Sequence, residues 1–231
     1  MVLYDYDTNA ILVRPIKTRN ASELKNKTIE LLTILQERGH PPKLHILDNE
    51  ASTLLKDALL KNKIDYQLVP PHLHRRNMAE RAIQTFKAHF ISCLCTTPPD
   101  FPATEWDLLL PQSELTMNLL RNCRYNSSLS AHAALFGSFD FNSTPLAPFG
   151  TKCVIHEKPS NRTSWATRGT DAWYIGPALE HYRCVQCYDP KTRAIRISDT
   201  VQYFPQVVPF PKITTEDLLR NTAQDILAIL N

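Results

Sequence analysis

The chain has 231 residues, with 26 lysines and arginines against 23 aspartates and glutamates, for a formal charge of +3. Its five glycines stand against 17 prolines, an inversion of average usage, and no two glycines lie close enough for a dinucleotide fingerprint or a phosphate-cradling loop, which argues against nicotinamide, flavin and P-loop chemistry. With 43% hydrophobic and 21% charged residues, the composition is globular and the length suits one sizeable domain and a small one. No run approaches the ~18 apolar residues of a membrane span, and the first residues carry neither a basic leader nor an apolar signal core. An intracellular protein with no membrane partner is expected. Its six spread cysteines, Cys93, Cys95, Cys123, Cys153, Cys184 and Cys187, are then expected to be reduced.

Residues 1–17 read as a hairpin, Met1–Tyr6 and Ala10–Ile16, turned by Asp7-Thr8-Asn9. A helix follows: Asn20 and Ser22 are candidate caps, Leu24, Ile29, Leu31, Leu32 and Leu35 repeat at helical spacing, and Gly39 with Pro41-Pro42 ends the run. Lys43–Leu47 is a strand ending at Asp48, Ala51–Asn62 a second helix, and Ile64–Val69 another strand that stops at Pro70-Pro71. Strand alternating with helix predicts an α/β arrangement. Asn77–Leu94 is an amphipathic helix with Met78, Ala82, Phe86, Phe90 and Leu94 on its buried stripe, and Glu80, Gln84 and Lys87 on another face. Thr104–Arg124 is a helical region that Pro111 must kink or divide, and Ser130–Phe136 is a short helix. From residue 149 to 204 the chain turns to Trp, Tyr, Val, Ile and Cys between turn signals, which predicts a small β-barrel. A Pro-rich connector leads to a last helix, Thr215–Leu230.

Charge is concentrated. Residues 70–89 hold Arg75, Arg76, Arg81 and Lys87 against Glu80 alone, so this stretch nets +3 and the rest sums to zero; His72, His74 and His89 lie in it too. Ligands of an α/β sheet gather at the carboxyl ends of its strands. There stands Asp48, in Asp48-Asn49-Glu50, while Glu80 opens the following amphipathic helix. Two such carboxylates can hold Mg²⁺, and the basic residues can neutralise a nucleic-acid backbone. The competing reading makes Asp48 a strand-end cap and Glu80 a first-turn acid favoured by the helix dipole.

Val2–Lys17, Leu47-Asp48-Asn49 and Pro70-Pro71-His72 through Asn77-Met78-Ala79-Glu80-Arg81 resemble the ribonuclease-H-like catalytic core of a retroelement integrase. Phe149-Gly150-Thr151-Lys152-Cys153, Trp173-Tyr174-Ile175-Gly176, Tyr182-Arg183-Cys184, Tyr188-Asp189-Pro190 and Ser198-Asp199 through Phe204 resemble the SH3-like domain that follows that core in copia-type retrotransposon polyproteins. The resemblance implies an incomplete ribonuclease-H-like core at 1–137, a linker at 138–148, an SH3-like domain at 149–205 and a connector with a helix at 206–231. It also implies integration of DNA by phosphoryl transfer with Mg²⁺ or Mn²⁺, with element ends and target DNA as partners, homo-oligomers, and a nuclear site of action in a eukaryote. In this family three carboxylates, Asp, Asp and Glu, hold the metals. Asp48 matches the second and Glu80 the third, both as metal ligands and catalytic groups; His74, Arg75, Arg76, Arg81 and Lys87 would contact DNA.

Asp5 and Asp7 share a strand face, yet the family register places Asp5-Tyr6-Asp7-Thr8 through Lys17 in the hairpin after the catalytic strand. The strand bearing the first Asp, and the zinc-binding module before it, would lie upstream of Met1, so a gapped or re-paired sheet is expected. Glu50 stands where the family commonly has Gly after Asp-Asn, Arg76-Asn77 stands where it has an Asn-Gly pair before the Glu, and the interval from Asp48 to Glu80 is a few residues shorter than usual. A non-catalytic nucleic-acid-binding or interaction module competes with the enzyme, and an unrelated metal nuclease is a third reading. Cys184 and Cys187, with His181, Cys153 and His156, have zinc-ligand types, although strand packing explains the thiols as well. Trp165, Trp173, Tyr174 and Tyr182 offer either stacking surfaces or a barrel core.

Overall fold

The computed structural model describes residues 1–48, 51–69 and 78–205, together with Leu219, Arg220, Thr222, Ala223, Gln224 and Leu227, which are helical. The remainder of the predicted helix Thr215–Leu230 lies outside the described residues. The architecture is mixed α/β. Among the described residues no helix is long and apolar enough to cross a membrane.

The chain begins with an antiparallel pair, β1 (Val2–Tyr4) and β2 (Ile11–Val13), in which Leu3 stands opposite Leu12. Helix α1 (Ala21–Glu37) starts where the Asn20 side chain accepts from Glu23 N (2.7 Å), and it buries Thr28, Leu31, Leu32 and Leu35. Strand β3 (Leu44–Leu47), helix α2 (Thr53–Lys61) and strand β4 (Asp65–Leu68) form a β-α-β unit whose two strands are parallel, Leu47 beside Leu68. Ser52 caps α2 through Leu55 N.

Among the described residues the two strand pairs are separate sheets. They nevertheless share one core, in which Leu3 and Leu12 meet Leu31, Leu35, Leu47 and Leu59. Backbone alternation identifies the open edges. Met1 and Arg14 exchange hydrogen bonds, and Asp5 N donates to Ala10 O, so the backbone groups of Val2 and Tyr4 point away from β2. On β3, Lys43 O and Leu47 O accept from Asp65 N and Val69 N, so those of Leu44 and Ile46 point away from β4. The outer edge of β2 is treated differently, because side chains of a later helix cover it (below).

Helix α3 (Met78–Leu94) packs Ala82 and Phe86 against Ile11 and Val13. Met78, expected on the buried stripe, is 38% exposed. The physical reason is length: a 17-residue helix runs ~25 Å, whereas the three-residue strands beneath it cover only ~10 Å. Farther along, Phe90 packs against both this cluster and a second core, which Cys93 and Leu94 join. Pro111 divides the next region rather than kinking it: a 3-10 segment, Ala103–Leu109, precedes α4 (Leu110–Leu120), and the proline sits in the first turn of α4, where its missing N–H costs nothing. Helix α5 (Ala131–Phe136) is capped by Ser130.

The β-rich stretch is a five-stranded antiparallel sheet of β5 (Lys152–His156), β6 (Gly169–Pro177), β7 (Val185–Asp189), β8 (Ala194–Ser198) and β9 (Val201–Phe204), in the order β8-β7-β6-β5-β9. Its interior holds Cys153, Ile155, Trp173, Tyr174, Cys187 and Tyr188, and the core continues into Phe101 and Leu109 from the first half. The segment expected as a linker is anchored to both halves at Ala147: Gln112 Nε2 donates to Ala147 O (2.6 Å), and Ala147 N donates to Tyr174 Oη (3.3 Å).

Candidate functional site

The parallel β3–β4 pair opens at its carboxyl end, where Val69 N donates to Leu47 O (2.9 Å). Asp48 follows directly on β3 and is exposed, its carbonyl accepting from Ala51 N (3.1 Å). Beyond residues 70–77, α3 carries Glu80 half-buried in its first turn and Arg81 and Lys87 exposed along the same helix. His74, Arg75 and Arg76 lie outside the described residues, as do Asn49 and Glu50.

Neither Asp5 nor Asp7 adds a ligand here. The Asp5 carboxylate accepts from Thr8 N (2.9 Å) and from the Thr8 hydroxyl, closing the hairpin turn in which Asn9 takes φ +63°. Asp7 is exposed on the same turn, its carbonyl facing the Cys123 thiol. Among the described residues no three His, Cys, Asp or Glu side chains form a group able to hold a metal ion. The zinc set drawn from the β-rich half comes apart in the same way. Cys153 and Cys187 face each other with Sγ atoms 3.7 Å apart inside the sheet, while the Cys184 thiol points to Tyr182 O. The neighbouring Cys153 thiol, and then burial, push Cys187 well above an ordinary thiol pKa.

The hairpin bearing Asp5 is held by residues that periodicity does not reveal. Asn118, on α4 and 1% exposed, accepts from Ile11 N (2.9 Å) through Oδ1 and donates to Ile11 O (2.8 Å) through Nδ2. Glu114, one turn earlier, accepts from Val13 N (2.6 Å) and from Arg14 (3.2 Å), which also pairs with Glu30 (2.7 Å). Burial raises the Glu114 carboxyl despite those donors. Arg121 and Arg124 reach the other end: Arg121 Nε donates to Asn9 O (2.8 Å), and the Arg124 guanidinium lies 4.2 Å over the Tyr6 ring. The available signal was compositional, since Gln112, Ser113, Glu114 and Asn118 place polar groups all around α4.

The aromatic residues divide. Trp173 and Tyr174 are buried, whereas Tyr182 is largely exposed and Trp165 is 99% exposed.

No protein-family model matches the chain, and no curated protein matches it. Among solved structures, a chain of the cryo-EM structure of the simian T-cell lymphotropic virus intasome in complex with the PP2A regulatory subunit B56 gamma is similar to it at 16% identity and a TM-score of 0.44, over 90% of this chain and 75% of that one.

Proposed function

We propose that this chain is an integrase-related DNA-binding protein of the retrotransposon type its motifs resemble. The observation that carries the reading is the carboxyl edge of the β3–β4 pair: Asp48 leaves one strand, and the other feeds the basic segment that ends in Glu80, Arg81 and Lys87. Cations that follow a strand-end carboxylate along the chain suit a phosphate backbone, which Lys and Arg bind with release of counterions. The separation of the two strand pairs agrees with a ribonuclease-H-like sheet, in which the strand bearing the first catalytic Asp would lie between the hairpin and the Asp48 strand.

Asp48 and Glu80 offer hard oxygen ligands of the kind Mg²⁺ or Mn²⁺ takes. A two-metal centre, with ions ~3.5–4 Å apart, needs a fuller donor set, and Asp5 is committed to Thr8. The described residues therefore do not fit that group. The chain binds DNA, and strand transfer requires a third carboxylate.

The test is fluorescence anisotropy with a labelled duplex across a salt series, alongside a strand-transfer assay in Mg²⁺ or Mn²⁺. Binding that weakens steeply with salt, is reduced in Arg81→Ala/Lys87→Ala, and comes without strand transfer is the expected result. Strand transfer abolished by Glu80→Gln would instead establish an enzyme, and failure to bind duplex at low salt would refute the proposal.

A further inference from the structure

We infer that the loop between β5 and β6, residues 157–168, is a binding site for single-stranded nucleic acid, with an unpaired base stacked on Trp165 and the phosphate backbone against Lys158, Arg162 and Arg168. The inference goes beyond the preceding reading and uses none of its residues.

Trp165 is the first observation. At 99% exposure the indole lies wholly in water, while Trp173 in the adjoining strand is 6% exposed and Trp106 is 44% exposed. Among the described residues nothing stacks on it or accepts from its Nε1, so both ring faces are open. Water around an aromatic of this size is released on stacking, and every base has a π-face to offer. A base inside a duplex is already stacked on its neighbours, so the partner is a strand whose bases are free.

The charge around the ring is the second observation. Lys158, Arg162 and Arg168 stand in the same loop as Trp165; none makes an ion pair among the described residues, and Arg162 Nε donates to the Glu157 carbonyl at 3.4 Å. The one acid of the loop, Glu157, is engaged elsewhere: Arg196 donates to it at 2.6 Å and the Thr170 hydroxyl at 2.8 Å. That engagement, led by Arg196, lowers the Glu157 carboxyl to about 2. The same guanidinium faces Asp189 at 3.7 Å. Glu157 is thus matched within the sheet, and the three loop cations keep their charge for an outside anion. Lys191 and Arg193, exposed in the β7–β8 turn next to Asp189, extend the positive surface.

Shape is the third. Arg168 forms one wall of an open groove of about 260 Å³ floored by Val154 and Val201, with His156, Thr200 and Gln202 as hydrogen-bonding groups around it. A backbone running from the Trp165 ring past Arg168 enters this groove with donors for phosphate on one side and an apolar floor on the other.

The experiment is an anisotropy titration of the full chain with fluorescein-labelled oligo(dT) of 20 nucleotides, for wild type, Trp165→Ala, Trp165→Phe and Arg162→Ala/Arg168→Ala. Because Trp165 touches nothing, its replacement leaves the thermal unfolding curve unchanged, which separates a binding effect from misfolding. Trp165→Ala is expected to weaken binding ~5- to 150-fold, the loss of one base–aromatic stack. Trp165→Phe retains most of the affinity, and the double arginine variant flattens the salt dependence by about 1.4 log units per log unit of salt, at ~0.7 per phosphate contact. Emission from Trp165, read as wild type minus Trp165→Phe, is quenched on binding. Oligo(dT) binding to Trp165→Ala as tight as to wild type, or an unquenched Trp165, overturns the inference; the latter result would suit a protein-docking residue. The two proposals fail separately, because Arg81→Ala/Lys87→Ala acts on duplex binding and Trp165→Ala on single strands.

Discussion

Replacing Asn118 by Ala tests how the hairpin is held. Asn118 and Ile11 are 1% and 0% exposed, and two hydrogen bonds of 2.9 and 2.8 Å join them. The substitution leaves both the N–H and the C=O of Ile11 buried without partners, at ~1–3 kcal/mol each, for a loss of ~2–6 kcal/mol. That is a large part of the ~5–15 kcal/mol typical of a domain. Asn118→Leu separates polar from packing effects, since it restores volume and neither hydrogen bond. Asn62→Ala, which removes one exposed bond to Ala58 O (2.7 Å), is the control and costs less than ~1 kcal/mol. Urea unfolding followed by both tryptophan emission and far-UV circular dichroism measures the change, and coincidence of the two curves tests whether the two cores unfold together. A loss under ~1 kcal/mol in Asn118→Ala, or full recovery in Asn118→Leu, refutes the reasoning.

Gly150→Ala is expected to destabilise by ~1–3 kcal/mol, because Gly150 has φ +71° and a Cβ there meets Thr97 Cγ2 at 2.5 Å; a thermal midpoint equal to wild type would contradict this. His45, His89 and His132 are all held below the usual histidine range by burial. Their protonation opposes folding, so stability falls as pH is lowered from 7 through 6.5 toward 5. A thermal midpoint flat across that window would count against it, and His45→Gln should lessen the slope. Glu157 titrates with the opposite preference: its depressed carboxyl contributes stability above pH ~4.5 that is lost as pH falls toward about 2, and Arg196→Ala should remove that acid-limb loss. Iodoacetamide should modify exposed Cys95 rapidly and the fully buried Cys153 and Cys187 only as fast as the sheet opens; equal labelling rates in the native protein would show that the sheet interior is open.

Local signals made most elements legible. Asn20, Ser52 and Ser130 cap helices as their types imply, and the Leu31, Leu32 and Leu35 stripe is buried because its period matches the helix. What escaped depends on neighbours that periodicity cannot name. Met78 belongs to the apolar stripe of α3 but overruns a hairpin too short to cover it. Asn118 and Glu114 are polar residues of a helix whose partners lie on a strand more than 100 positions away. For the candidate site, composition picks out the basic stretch and the two carboxylates, and the β3–β4 register sets Asp48 and Val69 at one end of the pair. Trp165 was one of four aromatics with equal claims to a core; only the packed sheet distinguishes it from Trp173.

The side chains of α4 also restrict how the small sheet can grow. With Ile11 and Val13 bonded to Asn118 and Glu114, the β2 side admits no further strand, and extension of this pair is confined to the row presented by Val2 and Tyr4. A strand added there would be roofed on one face by the core of Leu3 and α1 and on the other by the core of Ile11, Ala82 and Phe86. It must be apolar at odd and even positions alike, a pattern that a designer could write as a short run of valine and isoleucine, and one that an alternating amphipathic peptide could not imitate.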